Sequence, residues 1–164
     1  MAKTTIKFRL NEAEIDYAIR KVKQYKTDFL LKVDRLVKTL LKEGIEVASV
    51  QIAQLDAVYT GKLLGSLDGF FDPGSQVGFI KAYSDYAIYV EFGTGVVGSQ
   101  SPHPKPNGYR YDVNHHGDKG WVYYDENSGE FKWTKGFKSR PFMYNTARHL
   151  EKECKKIARE VFGK

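Results

Sequence analysis

His103, His115 and His116, with Asp112, Asp118 and Glu91, are residue types from which a metal site for hydrolysing phosphodiesters can be built. Their spacing argues against one. His115 and His116 are adjacent in a Gly/Asn/Asp-rich turn and point apart in an extended chain, while His103 sits in a Pro-rich loop. We read all three as solvated loop histidines. His149 falls on the basic side of the last helix, where it either touches phosphate or simply faces water. Gly65-Ser66 lacks the second glycine of a nucleophile elbow. Gly61-Lys62 lacks both the earlier spaced glycine and the following Ser/Thr of a phosphate-binding loop. Cys154 lies on an apolar helical stripe, so it reads as a packed thiol, and His149 is off its helical face. The expectation is a protein that is not an enzyme, with no catalytic residue, no metal and no cofactor.

The elements that position these residues belong to a chain of 164 residues, which fits a single domain, 1–164. Residues 1–55 read as a long helical N-terminal region; 56–164 read as sheet, loop insertion and C-terminal helix. One cysteine cannot pair within the chain, no apolar run reaches membrane-spanning length, and the first residues lack the apolar core of a secretion signal. A product made in the cytosol is expected. The net charge of +6 is polarised. Residues 1–55 hold 11 Lys/Arg against 7 Asp/Glu, residues 56–131 hold 5 against 10, and residues 132–164 hold 10 against 3. Basic ends around an acidic middle suit a surface facing nucleic acid, complementary contact between subunits, or plain solvation of helix faces.

Thr4 to Arg9 alternates apolar and polar residues and suggests a short strand or arm. Asn11 then caps a helix, with Glu14 placed as in a capping box and Leu10 and Ile15 spaced as a hydrophobic staple. Ile15, Ile19, Val22, Phe29, Val33, Leu36, Val37, Leu40 and Leu41 recur at helical spacing up to Gly44, where a kink or a second helix is expected. A break is also conceivable at Thr27-Asp28. A short helical turn near Tyr59 to Leu67 leads into a hairpin, Phe70-Phe71 and Val77 to Tyr83, across Asp72-Pro73-Gly74-Ser75. Ser84 or Asp85 caps a short buried helix at 85–92, stopped by Gly93. Its lone charge, Glu91, must reach water along an edge or meet a cation from elsewhere. Val96 to Asn107 is expected to be a mobile loop, Tyr109 to Val113 a strand, and 121–134 an aromatic hairpin. Ser139 or Arg140 caps a last helix with Pro141 in its first turn. Met143, Ala147, Leu150, Cys154, Ile157 and Val161 form its apolar stripe, and Arg148, Lys152, Lys155, Lys156 and Arg159 its basic face. The fold class is α+β: an antiparallel sheet packed against a long N-terminal and a C-terminal helix.

Tyr-Ala-Ile-Tyr-Val-Glu-Phe-Gly-Thr-Gly, Tyr86 to Gly95, resembles the signature of the phage tail-component family typified by the tenth gene product of a lambda-like coliphage, a neck or tail-completion protein between head and tail. Thr60, Gly61, Leu64 and Ser66 upstream, and Gly136, Arg140, Pro141, Phe142, Met143 and Ala147 downstream, match in the same order. Ser139 stands where the family more often has Ala or Pro. The resemblance implies a ring beneath the head-closure proteins of a long-tailed phage, with the genome passing through it. It also implies that Phe142 and Met143, with Tyr86, Tyr89 and Phe92, anchor the core.

On this reading Glu91, Thr94, Arg140 and the loop after Gly95 lie at or beside a subunit interface of a cyclic homo-oligomer. Its neighbours are head-closure and tail-terminator or tail-tube proteins, and it works in the virion, without a membrane. Arg148, Lys152, Lys155, Lys156 and Arg159 are the residues expected to face phosphate. The alternative is a free-standing basic DNA-binding protein; no base-reading motif is present in either case.

Overall fold

The computed structural model describes residues 5–55, 57 and 61–163; Thr4 of the expected arm, and Tyr59 and Thr60 of the upstream turn, lie outside them. Helix α1 runs unbroken over Glu12–Gln54, 43 residues and about 64 Å. Asn11 starts it by accepting the Glu14 amide at 3.0 Å. The staple does not form, because Leu10 is 91% exposed, and residues 5–9 make no strand. Neither Thr27-Asp28 nor Gly44 interrupts the helix. Thr27, Thr39 and Ser49 donate their hydroxyls to carbonyls one turn back, so their hydroxyls are satisfied within the helix.

Gly44 is buried where α1 crosses two other elements. A methyl there would collide with Ile80 Cδ1 and stand 3.0 Å from Leu150 Cδ1. The glycine read as a break is thus a crossing point, and close packing outweighs its low helix propensity.

Helix α2 (Lys62–Gly65) leads into strands β1 (Leu67–Asp72) and β2 (Val77–Ala82), an antiparallel hairpin with Phe70 opposite Phe79. Asp72 holds its turn by accepting the Ser75 hydroxyl and the Gly74 amide, which together lower its pKa. The hairpin lies on α1. Helix α3 (Ala87–Phe92) follows. Ser84 and Asp85 do not cap it through side chains; Tyr86 stands at the cap and Gly93, at φ 82°, ends it.

The segment expected as a mobile loop begins with helix α4 (Gly95–Gln100). Tyr109 to Val113 is not a strand, because the Tyr111 carbonyl is taken by the Gly95 amide at 2.7 Å rather than by a ladder. After a 3₁₀ turn at Gly117–Lys119 come β3 (Trp121–Asp125) and β4 (Glu130–Thr134), the aromatic hairpin. A short β5 (Gly136–Phe137) bridges back to Thr94 and Gly95. The strands form two separate two-stranded sheets rather than one.

Helix α5 (Phe142–Phe162) packs antiparallel along α1, tied by Asn145 to Gln51 at 2.8 Å and by His149 to Glu43 at 2.9 Å. Ile52, Ala57, Leu63, Ala87, Val90 and Phe142 form the core where α1, α2, α3 and α5 meet, with Tyr86 and Met143 against it. No described helix is long and apolar enough to cross a membrane.

Candidate functional site

Helix α5 begins without a cap of its own. Pro141 occupies the N-cap position and has no side-chain acceptor, while Ser139, one of the two expected caps, donates its hydroxyl to the Glu91 carbonyl at 2.6 Å. The first-turn amides of a helix need acceptors and carry the positive end of its dipole. Glu91 supplies both needs from α3. Its Oε2 accepts the Met143 amide and its Oε1 the Tyr144 amide, each at 2.9 Å. Oε1 also lies 3.1 Å from His103 Nε2.

Glu91 is 8% exposed and His103 6%. His103 is therefore not a solvated loop residue. Its Nδ1 meets the Lys105 backbone, 2.9 Å from the amide and 2.8 Å from the carbonyl oxygen. Nε2 thus faces the carboxylate and Nδ1 the Lys105 backbone, so both ring nitrogens have polar partners. The imidazole is enclosed by Phe92 at 4.5 Å and by the Tyr144 ring edge at 5.3 Å, and Phe92 stacks on Tyr109 at 4.6 Å. Burial raises the Tyr109 pKa, with Tyr89 and Tyr111 adding to it. The phenol of Tyr109 donates to the Gly93 carbonyl at 3.1 Å. The Pro-rich segment is pinned to α3 by these contacts.

The question raised by a lone charge in an apolar helix is answered inside the chain. Glu91, expected at a subunit interface, joins α3, α5 and the 101–111 segment. Arg140, expected beside it, donates Nε to the Leu55 carbonyl and its amide to the Val90 carbonyl, both at 2.9 Å, with its guanidinium 5.6 Å from the Phe137 ring. It ties the end of α1 to the α3–α5 joint. Thr94 is half-buried in a bridge to Phe137, and its buried hydroxyl has no hydrogen-bond partner among the described residues.

Among the expected anchors, Phe142 is fully buried, Met143 and Tyr86 pack on the core, and Phe92 sits in the aromatic cluster. Tyr86 also accepts the Leu63 amide at 3.0 Å. Tyr89 differs. It is exposed, because a six-residue helix buries one face and here that face is Ala87, Val90 and Glu91. On α5, Ala147 is likewise exposed although it lies on the apolar stripe.

Arg148, Lys152, Lys155, Lys156 and Arg159 are all exposed along α5. Arg148 pairs with Glu151 and Lys156 with Glu153. Lys152, Lys155 and Arg159 have no ion-pair partner among the described residues. His149 turns away from this face to Glu43 of α1, so it is not placed to meet phosphate. His116 stacks on Trp121 at 4.9 Å, and Asp112 accepts the amides of His116 and Gly117. The Gly117 amide foremost lowers the Asp112 pKa. Among the described residues, no three His, Cys, Asp or Glu side chains converge as metal ligands would.

The aromatic hairpin carries its own polar lock. Asp125 accepts from Lys132, from the Ser128 hydroxyl at 2.8 Å and from the Asn127 amide at 3.2 Å. Lys132 first, then Ser128, holds the Asp125 carboxyl below the ordinary carboxylate range, and Asp125 raises the Lys132 pKa in return. A carboxyl whose folded-state pKa is depressed stabilises the fold above its unfolded value, about 3.9, and loses that contribution as pH falls through the folded value. Thermal midpoints measured from pH 7 down to pH 2 should therefore fall below about pH 4. Asp125→Asn should melt lower at pH 7 and show a shallower acid fall; an unchanged profile would mean the lock adds nothing.

Comparisons with protein-family models, with curated proteins and with solved structures find no match to this chain.

Proposed function

We propose that the chain is a non-enzymatic structural component of a phage or prophage neck, a tail-completion or head-tail joining subunit of a ring through which DNA passes. The observation that carries this reading is convergence. Three stretches distant in sequence bear the family resemblance, and the segments that carry them come together at one joint, the upstream one through Leu63, which lies between the matched Gly61 and Leu64. Leu63 donates its amide to Tyr86, Arg140 donates to Val90, and Glu91 accepts from Met143 and Tyr144. The segments that carry the resemblance thus belong to one structural unit, as expected if they specify a fold rather than a reaction centre.

The free cations of α5 support contact with passing DNA in either reading. Binding of random duplex should be weak at 150 mM salt and steep in salt. Replacing Lys152, Lys155 and Arg159 together with alanine should flatten the log–log salt slope by roughly 2 to 3, since each phosphate neutralised contributes about 0.9. Tight binding by the monomer at that salt favours a free-standing DNA-binding protein. The neck role is tested by electron microscopy of particles made without this gene. DNA-filled heads with separate tails, rejoined when the gene is supplied in trans, are expected. Joined virions would remove the role.

A further inference from the structure

Along α1, Ile15, Ile19, Val22 and Phe29 share a stripe with Val33, Val37 and Leu40, since successive members lie three, four or seven residues apart. From Phe29 onward the chain packs against this stripe. Phe29 meets Phe162 at 5.8 Å near the end of α5, and Val37 and Leu40 face β2 and α5. Toward the N-terminus Ile19 is 45% exposed and Val22 57%, and Ile15 39%, as exposed as Phe29, while Ala18 between Ile15 and Ile19 is buried. About 25 Å of amphipathic helix projects beyond the body.

The body holds the complementary feature. An open apolar cleft of about 410 Å³ between α1, β2 and α5 is lined by Val37, Leu41, Ile80, Met143, Ala147 and Leu150 among others. A second, of about 260 Å³, shares Ile80 and Met143 and continues to Ile88, itself exposed. The two adjoin at Ile80 and Met143.

We infer that the projecting stripe of one copy, Ile15, Ile19 and Val22, seats in the α1/β2/α5 groove of a second copy in a head-to-tail contact. One copy cannot bring the two together. Stripe and groove wall belong to the same continuous helix, with Val22 and Val37 about 22 Å apart along it. The charges agree: Glu12, Glu14 and Asp16 stand at the tip of the stripe, and exposed Lys81 and Lys152, which have no ion-pair partner among the described residues, stand on the groove's elements.

Size sets the strength of the contact. A helix about 25 Å long and 10 Å across, covered over half its lateral surface, buries roughly 400 Å² per partner, about half the share of a standard stable interface. Pairs are therefore weak in dilute solution and persist where every subunit makes both contacts in a closed ring. The contact rests on the ring reading only for that closure.

Sedimentation velocity on the full chain up to about 1 mM tests the contact. The wild type should form species growing past the dimer with concentration. Ile19→Lys with Val22→Lys (stripe) and Ala147→Trp (groove) change exposed positions, so both proteins should fold, with melting temperatures checking this; Ala147→Glu is the second groove variant. Each protein alone should associate about tenfold more weakly or not at all. Their equimolar mixture should form a heterodimer and stop, because one intact stripe and one intact groove remain. A groove variant that associates like wild type, while the stripe variant does not, would mean that stripes pair with each other and would overturn the proposal. So would a wild type that stays monomeric at about 1 mM. That result leaves the neck role standing, and joined virions without the gene leave the contact standing, so the two fail separately.

Discussion

Glu91→Ala is expected to cost about 3 to 5 kcal/mol of folding stability, the range for removing one partner of a buried, charge-assisted network. The Met143 and Tyr144 amides and His103 Nε2 would all lose their acceptor in a site that water barely reaches. Each unsatisfied donor costs about 1 to 3 kcal/mol, and loss of an N-cap alone costs about 1. Against a total of about 5 to 15 kcal/mol, this unfolds a large part of the population near physiological temperature. Urea denaturation should show a midpoint lower by more than 1 M at an m-value of about 2 kcal/mol/M. Glu91→Gln, which keeps the shape and one acceptor, should lose less, about 2 kcal/mol. A Glu91→Ala protein within about 0.5 kcal/mol of wild type would show that water can replace the carboxylate. A Glu91 variant must then be checked for folding before any other defect is interpreted, since the residue's hydrogen-bond partners lie within its own chain.

Gly136→Ala is the second large effect, and its cause is backbone rather than charge. Gly136 sits at φ 93°, and a methyl there would overlap the Thr94 carbonyl oxygen and stand 3.0 Å from Gly95 Cα. Backbone on both sides leaves nothing flexible to move. The positive φ alone costs an L side chain about 1 to 3 kcal/mol, and the β5 bridge to Thr94 and Gly95 would have to part as well. A loss of about 3 kcal/mol or more is expected by urea denaturation, together with faster hydrogen exchange at the Gly95 amide. Gly65→Ala is the control. Nothing lies within 4 Å of its added methyl, and it should stay within about 1 kcal/mol of wild type. Equal behaviour of the two variants would mean that β5 is not a fixed part of the fold.

Local chemistry was legible wherever it acts over a few residues. The Asn11 cap, the period of α1 and α5, and the turns that close both hairpins follow from side chains that reach their own backbone neighbours. Where the expectation for Gly44 and His103 failed, the deciding partner is far away in sequence. Gly44 reads as a helix break until Ile80 and Leu150 are brought against it. His103 reads as a solvated loop residue until Glu91, Phe92 and Tyr144 enclose it. Tyr89 reads as core because its neighbours are apolar, yet one face of a six-residue helix must remain outside. One signal for the joint was present: a short apolar helix holds an unexplained carboxylate.

The sequence by itself thus determined the two long terminal helices and the short helix α3, the hairpin turns, the α+β class and the division of charge between an acidic middle and basic ends. Periodicity and capping are properties of neighbours along the chain. Only the tertiary structure decided that Glu91 caps α5, that Arg140 fastens α1 to the α3–α5 joint, that two hairpins stand apart, and that an apolar stripe projects from the body while an apolar groove stays open. Those outcomes depend on which distant surfaces meet. A buried carboxylate is satisfied by whichever donors packing delivers to it, and no spacing along the chain fixes that choice.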